Sequence, residues 1–280
     1  MRTTPARRVA RHALLIFIAI VFAIPLYIAF VAATHSPEAL LGAFPLAPGH
    51  HFGENIINTL KGAFPNTPPL SSMMVNSLIM ALGITVGKLL VSIPAAYAIV
   101  FFRFRGRMVA FWAIFVTLLL PVQVRFFPTY EVTSDLGMLN SYQGLIIPLI
   151  ASATATFLFR QMFMTMPLEL SDAARIDGAG PLTFLWKILL PLSRPNLAAI
   201  SVIEFIYGWN QYLWPLLATS GPRYQTVVVG MQGLISAAAE FAVPRWNLVM
   251  AAALLAMAPP VIVMLVMQRW FIKGLTSGVN

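Results

Sequence analysis

Long runs of apolar residues, nearly free of charge, alternate with short polar stretches from one end of the chain to the other. Six of these runs reach the roughly 20 residues that a helix needs to cross a bilayer. They lie at about 13–33, 73–102, 108–127, 142–162, 195–217 and 248–267. The first is broken only by Pro25, and the second is interrupted by Lys88. A signal peptide has a shorter apolar region of roughly 7–15 residues, so the first run predicts a retained helix. An open chain in lipid must satisfy its own backbone hydrogen bonds, which makes helices the expected structure. The pattern predicts an all-α polytopic membrane protein, one transmembrane domain over 1–280 with six spans.

Composition points the same way. Hydrophobic residues make up 59% of the chain and charged residues 10%, whereas soluble domains carry about a quarter charged. That excludes an ordinary soluble enzyme and a disordered chain. In a soluble protein the net charge of +9 would suggest nucleic acid. Here it reads as a topology signal, and no nucleic-acid partner is expected. With the N-terminus inside, Arg2, Arg7, Arg8, Arg11, Arg103, Arg105 and Arg107 fall on the cytoplasmic side, as do Arg160, Arg175, Lys187, Arg194, Arg269 and Lys273. The other side holds Lys61, Arg223 and Arg245. Basic residues accumulate inside, so both termini are expected in the cytoplasm. Stretches 34–72 and 218–246 are then external polar loops, and 163–194 is cytoplasmic. The chain has no cysteine, which removes disulfides and thiolate chemistry.

The cytoplasmic stretch carries the informative motif, from Pro167 to Pro181. Pro167 suits a first helical turn, and Glu169 complements the dipole there. Gly178 is a good residue to end a helix in the left-handed conformation. The helix between them, of about three turns, is too short to stand alone. Ala173 and Ala174 let another surface approach the backbone, with Asp172, Arg175 and Asp177 around them. On these residues alone, a helix lying on the membrane surface and a helix docked in a partner's groove both remain open.

The wider pattern is Asp172-Ala-Ala-x-x-Asp177-Gly178-Ala179, then Phe184, Ile188-Leu-Leu-Pro191-Leu192 and Pro195. It resembles the EAA loop of ABC-importer permeases, with Asp172 where that family usually has Glu. Phe30-Val-Ala-Ala-Thr34, Leu120 to Pro128, Ala151 to Gln161 and Phe205 to Leu217 extend the resemblance. They point to the carbohydrate group that includes the maltose permease, and within it to the sn-glycerol-3-phosphate permeases. The resemblance implies a type I ABC-importer permease fold and alternating-access import of sn-glycerol 3-phosphate, with glycerophosphodiesters as an extension. It implies that Glu169, Asp172, Ala173, Ala174, Arg175, Asp177, Gly178 and Ala179 form the contact with a cytoplasmic ATPase. The implied partners are a second, homologous permease subunit, two copies of that ATPase and an external substrate-binding protein, at a bacterial inner membrane.

No cofactor is expected on this chain, since ATP and Mg would sit on the ATPase. The nearest approach to a P-loop, Gly83-Ile-Thr-Val-Gly87-Lys88-Leu89, has the wrong spacing and lies within a span. Gly83 and Gly87 read more simply as a close helix-packing face. The four histidines form no metal constellation, and no acid–base or nucleophile arrangement stands out, so no catalytic residue is expected.

Charges in hydrocarbon are costly, which draws attention to Lys88, Arg125 and Glu204. Arg125, between Pro121 and Pro128, can hold a phosphate bidentately or snorkel outward. Lys88 can pair with an acid, for which Glu204 is available. Trp209, Asn210, Gln211 and Trp214 on the fifth run suit either a cargo pathway or an interfacial aromatic belt. A neutral sugar or polyol as cargo and an ion-coupled secondary transporter remain as alternatives.

Overall fold

The computed structural model describes residues 5–276, and among them every regular element is helical. In chain order these are α1 (Pro5–Ala33), α2 (Phe52–Lys61), α3 (Leu70–Phe101), α4 (Arg107–Leu119) and α5 (Val122–Asp135). There follow α6 (Tyr142–Ile146), α7 (Ala153–Met164), α8 (Leu168–Ile176) and α9 (Pro181–Leu192, π-helical in its middle). The chain closes with α10 (Arg194–Trp209), α11 (Leu213–Ala218), α12 (Val227–Ala239) and α13 (Trp246–Thr276). Arg2 and both chain termini, which the charge pattern assigns to the cytoplasm, lie outside the described residues.

The chain divides into two compact units, Met1–Met73 with Gly230–Ala258, and Met74–Val229 with Pro259–Asn280. In the first, α1 exposes its apolar side chains along most of its length and buries only its end, Val31 to Thr34. Asn55 of α2 ties that end down, its Nδ2 donating to the carbonyls of Ala33 and His35 at 2.9 Å each. Asn247 at the start of α13 donates to Asn55 Oδ1 at 3.0 Å. Buried amides need partners, and the Nδ2 groups of Asn55 and Asn247 find theirs across these three segments. The stretch 218–246, expected as a polar loop, contains α12 instead. Its first turns, Val227-Val-Val-Gly230-Met231, are too apolar to stay in water.

Among the described residues three helical stretches, Arg8–Ala33, Leu70–Phe101 and Trp246–Gln268, are long and apolar enough to cross a bilayer alone. Three bent pairs bring the number to six if each counts as one span. The expected run 108–127 is such a pair. The residue before a proline is driven out of the helical region, and Leu120 before Pro121 has ψ 125°. The chain then turns by 107° into the next helix. Arg125 therefore lies at the start of α5 and not far along one straight helix.

The expected run 195–217 is likewise interrupted. It ends as α10 at Trp209, and the chain breaks over 210–212 before α11. Between α9 and α10 the axis bends by 81°, and between the α6 segment and α7 by 47°. Gly83 and Gly87 do form a packing face. A Cβ on Gly83 would fall 2.6 Å from Ile146 Cδ1, and one on Gly87 would run into Ile150.

Candidate functional site

Two places in the second unit gather the residues singled out by the sequence. The first is α8. Its end is a Schellman turn: Gly178, at φ +74°, donates to Arg175 O at 3.0 Å, and Ala179 donates to Ala174 O at 2.8 Å. Only glycine takes that φ without strain. The inward face of α8 carries Leu170, Ser171 and Ala174, which pack with Tyr97, Phe163 and Phe184. Tyr97 Oη donates to Pro181 O at 2.9 Å and so fastens the loop beyond α8 to α3.

Glu169, Asp172, Ala173 and Ile176 fall at i, i+3, i+4 and i+7, one helical face, and all four are exposed. Ile176 is 86% exposed. Asp172 and Arg175 stand 3.9 Å apart in solvent. The expectation that both alanines offer a flat approach is therefore corrected. Ala174 is buried against this chain's own aromatic cluster, and Ala179 packs beside it. Ala173 and Ile176 make up the apolar part of the outward surface.

The second place is a cavity of about 220 Å³ inside the unit. Lys88 of α3, Thr117 of α4, Arg125 and Thr129 of α5, and Glu204 and Tyr207 of α10 line it, together with Pro148, Leu149, Ala151 and Ser152 before α7 and Ala153 and Thr154 at its start. The helix breaks make it possible, because bent and capped helix ends bring polar backbone and short side chains to the middle of apolar segments. Ser152 caps α7 by accepting from Ala155 N at 3.1 Å. Lys88 Nζ donates to Glu204 Oε2 at 2.6 Å, with both side chains almost fully buried. The same ammonium sits 3.5 Å from the centroid of the Tyr207 ring, a cation–π distance. Among the described residues Arg125 has no carboxylate within ion-pair reach.

The structure brings Arg125 to this cavity and leaves the other four pathway candidates off its walls. Trp209 is buried and stacks on Phe205 with ring centroids 6.0 Å apart. Trp214 is fully buried, and its indole N–H donates to Gly144 O at 3.1 Å. It backs the cavity through Phe126, 6.3 Å away in a stacked arrangement. Asn210 caps α10 and is exposed, while Gln211 Nε2 donates to Tyr207 O at 3.1 Å. These residues shape the break between α10 and α11. Conversely, Thr129, Ser152 and Thr154 line the cavity without having been picked out as pathway residues. Prolines 121, 128 and 148 nearby were the available signal.

Bent membrane helices around a polar cavity, with a short amphipathic helix presented on a loop, define a membrane component of a transport system. The chain belongs to the family of binding-protein-dependent transport system inner membrane components, which matches residues 88–277. It is 54% identical over 269 residues to the sn-glycerol-3-phosphate transport system permease protein UgpE of Yersinia pestis bv. Antiqua (strain Antiqua), covering 95% of each chain. Against the protein of that name from Escherichia coli (strain K12), identity is 53% over 269 residues with the same coverage. The fold matches a bacterial ABC transporter involved in the import of the acidic polysaccharide alginate. That match has a TM-score of 0.82 and 24% identity, over 97% of this chain and 99% of the other. The chain is thus an inner-membrane permease component of a binding-protein-dependent transport system.

Proposed function

We propose that this chain is one of two homologous permease subunits in an ATP-driven importer of sn-glycerol 3-phosphate and glycerophosphodiesters. Its near-full-length similarity to sn-glycerol-3-phosphate permeases carries the reading. The cavity chemistry supports it, because Arg125 offers a planar fork of donors suited to phosphate oxygens.

Both termini lie in the cytoplasm, in keeping with the basic residues on that side. Two copies of an ATPase, holding ATP and Mg, bind there, and a substrate-binding protein delivers cargo outside. The exposed face of α8, with Glu169, Asp172, Ala173, Arg175, Ile176 and Asp177, docks in the ATPase groove in the helix-in-groove mode. Closure of the ATPase pair moves α8. Its rigid footing on Tyr97 and Phe184 passes that movement to α3 and α9, and the helices around the cavity reorient.

The test is uptake by the complete complex in liposomes with ATP inside. Radiolabelled sn-glycerol 3-phosphate should accumulate and maltose should not. Accumulation of maltose alone would discard the phosphate reading. Uptake that survives ATP depletion on an ion gradient would discard the ATP-driven one.

A further inference from the structure

Lys88 and Glu204 join α3 to α10, and both also line the cavity that Arg125 enters from α5. In dry packing, apolar residues of similar volume hold two helices together as well as a buried ion pair does. This pair instead faces a polar space. The fixed charges on the described wall are two cations and one carboxylate, leaving one net positive charge.

We propose that Glu204 is a specificity-determining residue that sets the charge of the cargo cavity. It neutralises Lys88, so an anionic phosphate ester meets one unopposed cation, Arg125, instead of two. The inference rests on the phosphate-ester reading above and adds to it a residue that acts by charge balance. A transport site must attract its cargo and still let it leave. A second unopposed cation in the cavity would hold a phosphate more tightly and slow its release. With no net charge, nothing would offset the desolvation of the anion. The Tyr207 ring at 3.5 Å keeps the ammonium at the wall beside its carboxylate.

The experiment uses the full complex in nanodiscs without the binding protein and measures binding of radiolabelled sn-glycerol 3-phosphate. Copurification of the ATPase serves as the check on assembly. Glu204→Gln should bind the probe roughly tenfold more tightly, because the phosphate then faces two unopposed cations instead of one. Its uptake turnover should fall. Lys88→Met should bind more weakly than wild type, and Lys88→Met with Glu204→Gln, which restores the net charge, should return close to wild type. Unchanged or weaker binding by an assembled Glu204→Gln complex would overturn the inference and make the pair a strut. If Glu204→Gln does not assemble, the double variant against Lys88→Met decides: tighter binding supports the inference and equal binding overturns it. A wild-type complex that imports maltose and never binds the phosphate probe would sink the phosphate reading, and this inference with it. Wild-type uptake of sn-glycerol 3-phosphate with an indifferent Glu204→Gln would sink this inference alone.

Discussion

Lys88 on α3 and Glu204 on α10 meet at 2.6 Å although 116 residues separate them in the chain. The second unit therefore contains a buried ion pair that joins two membrane helices. Removing one partner leaves the other charge buried and alone, which costs about 3–5 kcal/mol. Lys88→Met should lower the unfolding midpoint of the purified complex clearly. Lys88→Met combined with Glu204→Gln should recover most of that loss, because no charge is then stranded. A double variant no more stable than the single one would show that the ammonium contributes through packing rather than pairing.

The Schellman turn at Gly178 is the next point of leverage. A β-branched side chain at φ +74° costs roughly 1–2 kcal/mol, and that strain falls on a helix of nine residues. Gly178→Val should fray the end of α8 and leave membrane insertion intact. The expected result is less ATPase copurified and more ATP hydrolysed per molecule transported. Full transport at normal coupling would show that α8 tolerates an open end.

Trp214 separates a packing role from a cargo role. Its indole N–H meets Gly144 O inside the core, and a buried carbonyl left without its donor costs about 1–3 kcal/mol. Trp214→Phe should lower thermal stability while leaving the preference for sn-glycerol 3-phosphate over maltose unchanged. A shift in that preference would return Trp214 to the cargo pathway.

Much of this architecture was legible in the sequence, and the exceptions have physical causes. Apolar runs show how much chain lies in lipid, since each residue adds its transfer free energy independently of its neighbours. They do not show where the axis bends, so 108–127 and 195–217 read as single spans. The short helix at Pro167 to Gly178 was legible because its end signal is local: one glycine forced into a left-handed conformation. Ala174 read the same as Ala173 because small residues suit an inward and an outward face equally, and only the packing of Tyr97 and Phe184 tells them apart. Lys88 and Glu204 were each conspicuous, but their meeting depends on how α3 and α10 cross. Trp209 and Trp214 were drawn toward the cargo pathway by their indole faces, which suit a glycerol backbone. Those faces stack on Phe205 and Phe126 instead, and the Trp214 N–H is used on Gly144 in the core.

Arg125 is the residue on which the substrate reading can be tested most directly. It lies early in α5, where the turn after Pro121 aims the chain at the cavity, and Thr129 Oγ1 donates back to the Arg125 carbonyl at 2.7 Å. Hydrogen bonds to a charged group are worth about 1.5–3 kcal/mol each, so Arg125→Ala should lower sn-glycerol 3-phosphate uptake by roughly tenfold or more. Arg125→Lys keeps the charge but loses the fork, and should fall between wild type and alanine. Glycerophosphodiester uptake should fall in the same order, because the diester retains a phosphate oxygen pair for the guanidinium. Expression and ATPase copurification should stay near wild type, since the guanidinium has no carboxylate partner among the described residues to strand. Equal uptake by all three proteins would mean that Arg125 faces the cavity without touching the cargo, and would move the search for the phosphate contact to the second permease subunit.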